Sequence, residues 1–421
     1  MAELDGLIAL DRELVSASRD IKVLSEFAWD PELQHSFIAN WLRGEPTLPD
    51  VRYAKVDHSR QMTQLESIAE RAAALDHPLG NFLNDTAQSY LDVARMIACM
   101  GTERMTELSI SIYGRPGSPL TGGNGTTSLD AAKYFLTVGS EFYRSNAPKE
   151  ADYCVTARAV RDELESGLAE VFKNKEVSIV IDPHLASKAA AGATRIRLRD
   201  ATCFSEYDAQ QLLQHEAFVH SLTALNGRRQ TTISAMSLGA PRTTVAQEGL
   251  ATFAELVTGT IDISRLERIA MRIIATDMAL GGADFIDVFR YFVDAGQPLN
   301  ESYSSTMRIF RGAPLTGGHA FTKDAVYLRG MLEIHTFFRW AFKEQKLQLC
   351  EHFFAGRMTL SDVVRYEEFF RDGTLCAPNY LPPWMTRSTG LGGYLAFSVF
   401  ANAIDLTVLP SEHQFGDSVP G

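Results

Sequence analysis

The chain has 421 residues, 45% hydrophobic and 22% charged, which is ordinary for a soluble globular protein of two or three domains or of one large helical domain with insertions. Its formal net charge of −12 excludes the broad basic surface that nucleic-acid or anionic-membrane binding requires, while 40 Lys and Arg residues still suffice for a local basic pocket. No apolar run is long enough to cross a bilayer, and the start, MAELDGLIAL, lacks the basic-then-apolar pattern of a signal peptide, so a soluble, cytoplasmic protein is expected.

In chain order, residues 60–75 and 81–100 carry apolar side chains at three- and four-residue spacing and read as helices. Residues 108–113 (LSISIY) alternate like a strand. The Gly-rich residues 115–127 follow, without the GK[ST] ending of a phosphate-binding loop, and are expected to form a surface loop. Residues 150–172 return to helical spacing. Residues 177–182 and 194–199 read as strands. In the second, Ile196 and Leu198 share one face and Arg195, Arg197 and Arg199 the other, a pattern suited to a sheet edge. A helix is expected from about residue 206, with Ser205 as N-cap, to about 225, and another over about 243–257. Helices then dominate to about 405, and residues 411–421 are expected to be a flexible tail. The five cysteines, Cys99, Cys154, Cys203, Cys350 and Cys376, are widely spaced with no CxxC pair and are expected to be reduced.

The string His215-Glu216-Ala217-Phe218-Val219-His220 has the pattern HExxxH. The zinc-peptidase pattern HExxH puts its histidines at i and i+4, on one helix face. At about 100° per residue an i+4 pair is separated by about 40° and an i+5 pair by about 140°, too far for both rings to reach one ion. A π-type turn between Glu216 and His220 would restore the alignment; the alternative is that the pair binds no metal. Glu248, in Gln247-Glu248-Gly249-Leu250-Ala251 on the next helix, is the candidate third ligand, with Gly249 beside it allowing close helix approach. Two histidines and a glutamate leave a fourth position open, as in catalytic zinc sites. Glu216, beside a ligand, is then placed to act as general base.

The strings LLQHEAFVHSLTALNGRRQ, LGAPRTTVAQEGLATFAEL, RIFRGAPLTGGHAFTKDAVYLRG and LPPWMTRSTGLGGYLAFSVF resemble the QEGLA-motif, or flavohaemoglobin expression-modulating, proteins. These are the bacterial branch of the microtubule-associated tyrosine carboxypeptidase family. The resemblance runs over about residues 177–400. It implies an α+β, mainly α-helical, zincin-like metallopeptidase with a small sheet next to the metal-binding helix. It implies Zn2+ held by His215, His220 and Glu248, with Glu216 catalytic, and a peptide or protein C-terminus as substrate. Eukaryotic members remove the C-terminal tyrosine of tubulin; the acidic charge of this chain makes a long acidic tail a less natural target. The expected organisation is an N-terminal helical region over 1–150 and a zincin-like catalytic domain over 151–410.

A carboxypeptidase must hold a free α-carboxylate, which arginine does with two parallel hydrogen bonds. Arg308, Arg311 and Lys323 are the candidate pocket, the alternative being structurally paired charge with Asp324 as one partner. Tyr327 and His319 are candidate electrophiles for the transition state, or Tyr327 packs between helices. Arg242 is a candidate anion contact or a helix-entry residue, and Lys188 either faces the cleft or is a solvated loop residue. In zincin-like enzymes an edge strand beside the metal helix pairs with the peptide substrate, a role open to residues 194–199. The competing reading is a metal-binding regulatory or interaction protein without peptidase turnover. Oligomeric state is not legible.

Overall fold

The computed structural model describes residues 2–146, 154–183, 185, 188–200 and 202–402. The expected tail at 411–421 lies outside the described residues, as do residues 147–153. Among the described residues the fold is mainly helical with one three-stranded sheet. Among the described residues no helix is long and apolar enough to cross a membrane.

The N-terminal helix Ala2–Ser18 packs against the antiparallel helices Ser59–Ala73 and Pro78–Ala98. Asp11 anchors it to the far half of the chain by accepting from the backbone N–H groups of Ser234 (2.9 Å) and Ala235 (2.8 Å). One cluster of buried side chains runs from Leu7 to Leu395. A second, rich in aromatics, gathers Phe37, Phe285, Phe289, Phe292, Tyr303 and Phe310.

Residues 108–113 are not a strand but the second half of the helix Glu103–Tyr113. Its buried positions, Met105, Thr106, Ser109 and Tyr113, recur every three to four residues, so packing overrode the alternation of LSISIY. The Ser109 hydroxyl lies 3.1 Å from that of Thr322, pinning the helix to the later chain. The helix expected from residue 150 starts only at Ala157, where Thr156 caps it through its side chain.

The sheet contains β1 (Ser178–Asp182), β2 (Ala189–Ala191) and β3 (Arg195–Arg199) in the order β1-β3-β2. The expected alternation holds in β3, where Ile196 and Leu198 are buried and Arg195 and Arg197 exposed. Its expected edge position does not. β3 is central, parallel to β1 on one side and antiparallel to β2 on the other, so its ladder bonds are spent within the sheet. β2, three alanines with no strand signature of their own, takes the edge against the helical segment Leu213–Ser221, which carries His215 and His220. The reduced state expected of all five cysteines is also overturned. Val155 and Phe204 form an isolated antiparallel bridge, and the adjacent Cys154 and Cys203, 49 residues apart, are joined by a disulfide.

Candidate metal centre and its cavity

The helix that carries His215 and His220 is continuous from Asp208 to Arg228, and its middle, Leu213–Ser221, is π-helical. Its N-cap residue is Tyr207, not Ser205; Asp208 instead accepts from the Ser205 backbone N–H at 2.8 Å and from Lys188 Nζ at 3.1 Å. A π turn closes its hydrogen bond over five residues, so side chains at i and i+5 come to one side. The rings of His215 and His220 accordingly lie 4.9 Å apart, inclined at 81°.

Glu248 comes from the helix Thr244–Val257, preceded by the 3-10 turn Pro241–Thr243. Gly249 does allow a close approach, but to the helix Val326–Lys343. A Cβ on Gly249 would stand 2.4 Å from the backbone of Gly330, and one on Gly330 would stand 2.3 Å from the Val245 carbonyl. That crossing sets the depth at which Glu248 meets the histidines. Its Oε2 lies 3.6 Å from His215 Nε2 and 3.6 Å from His220 Nε2.

The donor set fits a divalent cation. One ligand atom from each of His215, His220 and Glu248 lies within 4.8 Å of the others. Atoms bonded at about 2.0–2.1 Å to one tetrahedral ion stand roughly 3.3 Å apart, close to the two 3.6 Å separations. Among the described residues no fourth His, Cys, Asp or Glu joins the cluster, which leaves a position for water or substrate. The second nitrogen of His215 is also committed. Nδ1 is 2.7 Å from Glu255 Oε1, which directs Nε2 at Glu248. A carboxylate behind a ligating histidine fixes its tautomer and raises its basicity. Glu255 is fully buried and held in turn by Arg265, at 3.3 Å from each of its oxygens.

The electrostatics point the same way. Burial disfavours the His215 imidazolium, yet Glu248 and Glu255 overrule it and push its pKa up to about 10. Burial likewise opposes charge on Glu248, but Lys323, His215 and His220 hold its carboxyl well below the usual range. The carboxylates of Glu248 and Glu255 therefore favour a positive charge at His215. Lys323 supplies another, with Nζ 2.9 Å from Glu248 Oε1, leaving Oε2 to face the histidines. Glu216 is close enough for its charge to act on both His215 and Arg357.

A cavity of about 460 Å3 opens on this cluster, with Tyr90, Tyr113, His220, Glu248, Lys323 and Arg357 in its wall. Ala191 of β2 and residues 21–25 of the N-terminal region complete its rim. Burial pushes the Tyr90 and Tyr113 phenols up to about 12, so both remain donors at neutral pH.

Of the residues expected to bind substrate, Lys323 reaches this cavity and the others lie elsewhere. The helix Leu299–Phe310 ends before Arg311, so Arg308 and Arg311 do not share a helical face. Arg308 makes a two-pronged pair with Asp324, at 2.8 and 2.7 Å, and Arg272 stands 3.9 Å from the same carboxylate. Arg311 lies over the Phe321 ring at 5.3 Å. Tyr327 sits behind Lys323, whose Nζ is 5.2 Å from its ring centre, and is close enough to act electrostatically on Arg308. Arg242 pairs with the fully buried Asp362 at 2.8 Å. His319 is 3.9 Å from Glu103, and Lys188 is spent on Asp208.

Sequence reasoning passed over Glu255, Tyr113 and Arg357. The first had a signal: it lies seven residues after Glu248 on one helix, hence on the same face. The other two arrive from distant elements and had none.

The chain matches a family model over residues 35–403, and that family is described as microtubule-associated tyrosine carboxypeptidase. The chain belongs to this family. No curated protein matches it. The match extends through the helix of His215 and His220, the Glu248 helix and the segment carrying Arg357, so every residue of the metal cluster and the six wall residues named above lie in the family region.

Proposed function

We propose that this chain is a zinc-dependent carboxypeptidase of zincin-like type, acting on the C-terminus of a peptide or protein. The observation that carries the reading is the convergence of His215, His220 and Glu248 across the π-helical segment, with His215 aimed by Glu255. Membership of a family described as a carboxypeptidase supports the reaction class. The string Gln247-Glu248-Gly249-Leu250-Ala251 supports its QEGLA-motif branch.

His215, His220 and Glu248 would hold the ion. Zinc, when bound, supplies Lewis acidity at the scissile carbonyl and lowers the pKa of water towards about 7. The remaining work belongs to the protein. The Glu216 carboxylate takes a proton from the attacking water and returns it to the leaving amine nitrogen. Lys323 keeps Glu248 ionised and correctly turned. The Tyr113 phenol, in the cavity wall and still protonated, is placed to donate to charge developing on the carbonyl oxygen.

The test combines metal analysis with mass spectrometry of a peptide library. Purified protein is expected to contain about one zinc per chain and to shorten peptides by single C-terminal residues. Glu216→Gln is expected to keep the metal and to lose activity by about 10²–10⁴-fold. Metal without turnover in the unaltered protein, and no difference in Glu216→Gln, would identify a binding module instead.

A further inference from the structure

A carboxypeptidase site needs a cation that is not already neutralised, one residue's length from the reacting carbonyl. In an extended peptide that length is about 3.3–3.6 Å, so the receptor must stand in the same cavity as the metal ligands, one further hydrogen bond away. Most guanidinium groups around this centre are committed to a carboxylate: Arg265 to Glu255, Arg308 to Asp324, Arg242 to Asp362. Lys323 is committed to Glu248.

Arg357 differs. It lines the cavity, and among the described residues it forms no ion pair within 4.0 Å. Its Nη2 donates to the His220 carbonyl at 3.0 Å, which places the guanidinium directly beside a metal ligand. Its Nε is buried and has no hydrogen-bond partner. The surroundings are shaped to admit it. Its backbone N–H donates to the Met236 carbonyl at 2.7 Å. A Cβ on Gly356 would stand 2.7 Å from Met236 Cβ, and one on Gly239 would stand 2.9 Å from Arg357 Nη1. A guanidinium held this tightly, with donors to spare and no carboxylate in ion-pair contact, is a preorganised receptor for a planar carboxylate.

We propose that Arg357 binds the α-carboxylate of the substrate's last residue, and so restricts the site to chains with a free C-terminus. This rests on the metallocarboxypeptidase reading of the same site. It assigns end-recognition to a residue 137 positions away from His220 in sequence, and frees Arg308 and Arg311 for the scaffold.

The decisive experiment measures binding, not turnover. Zinc-loaded full-length Glu216→Gln is titrated calorimetrically with N-acetylated tripeptides as free acids and as the matching carboxamides. The acids are expected to bind at least about tenfold more tightly, the scale of a charged hydrogen bond. Adding Arg357→Gln, which retains a donor for the His220 carbonyl, is expected to erase that preference while zinc content is kept. In protein with Glu216 intact, Arg357→Gln raises KM for the acid far more than it lowers kcat. An independent measurement avoids substitution altogether: the free-acid peptide, and not its amide, should protect Arg357 from phenylglyoxal, read by mass spectrometry. Equal affinity for acid and amide, a preference that survives Arg357→Gln, or no protection overturns the assignment. Selective acid binding without any release of C-terminal residues from the unaltered chain would instead sink the peptidase reading and leave the receptor standing.

Discussion

Two cationic regions flank Glu248, and they are built on opposite principles. Behind it, Arg308, Arg272 and Asp324 form a buried network in which the guanidinium groups converge on one carboxylate. In front of it, Arg357 faces the cavity with no ion pair among the described residues. Both regions hold arginine away from bulk water, so both meet the same desolvation cost. Only the rear one offsets it with a carboxylate in direct contact; Arg357 feels Glu248 and Glu216 only at longer range. The difference separates charge that supports the scaffold from charge kept for a ligand. Within the rear network the offset is unequal: burial lowers the Arg272 pKa to about 9 despite Asp324, whereas Asp324 itself, although buried, is held well below the usual carboxylate range by Arg308.

The comparison breaks most directly at Asp324. Asp324→Asn should cost about 3–5 kcal/mol of stability at pH 7, because it strands buried guanidinium charge. Chemical denaturation of both proteins would measure it. The sign with pH follows from the lowered pKa of Asp324. Its contribution is complete above the ordinary value of 3.8 and is lost as pH falls below it, so the gap between the two proteins should close in acid. A gap that widens in acid would mean the pair is not what stabilises the network.

The glycine crossing should yield the next largest effect. Gly330→Ala forces the new Cβ to within 2.3 Å of the Val245 carbonyl oxygen and should cost about 1–3 kcal/mol or more. It should also weaken zinc binding, since the crossing positions Glu248. Unchanged metal affinity in a destabilised variant would uncouple scaffold from site.

Glu255→Gln probes the boundary between the regions, since Glu255 touches both Arg265 and His215. Zinc affinity, measured against a chelator, should fall about 10–100-fold. The smallest effect is expected at Arg311. It carries no ion pair among the described residues, but it lies over Phe321 away from the cavity, so Arg311→Gln should leave KM for free-acid peptides unchanged. A raised KM would move the carboxylate receptor back towards the scaffold side.

Much of the centre is legible in the order of residues alone. The HExxxH spacing demands a π turn, and the helix is π over Leu213–Ser221 because only that winding brings residues five apart to one side. The QEGLA string places a carboxylate and a glycine side by side, and the glycine marks a close crossing, though with the helix Val326–Lys343. β-Branched residues mark β1 and alternation marks β3. Three alanines carry no such signal, so β2 is invisible in the sequence, and with it the identity of the edge strand. LSISIY misleads because a short alternating run does not reveal which positions a distant Thr322 will bury.

What the amino-acid sequence determined by itself is therefore local: helix faces, the winding required of the histidine pair, and the residue types able to hold a cation. Which cation stays unpaired was decided only in three dimensions. Arg308 meets Asp324 across 16 residues, whereas Arg357 meets the His220 carbonyl across 137. Periodicity along a chain fixes direction within an element, but charge compensation depends on which elements the core draws together. That is set by packing over the whole molecule.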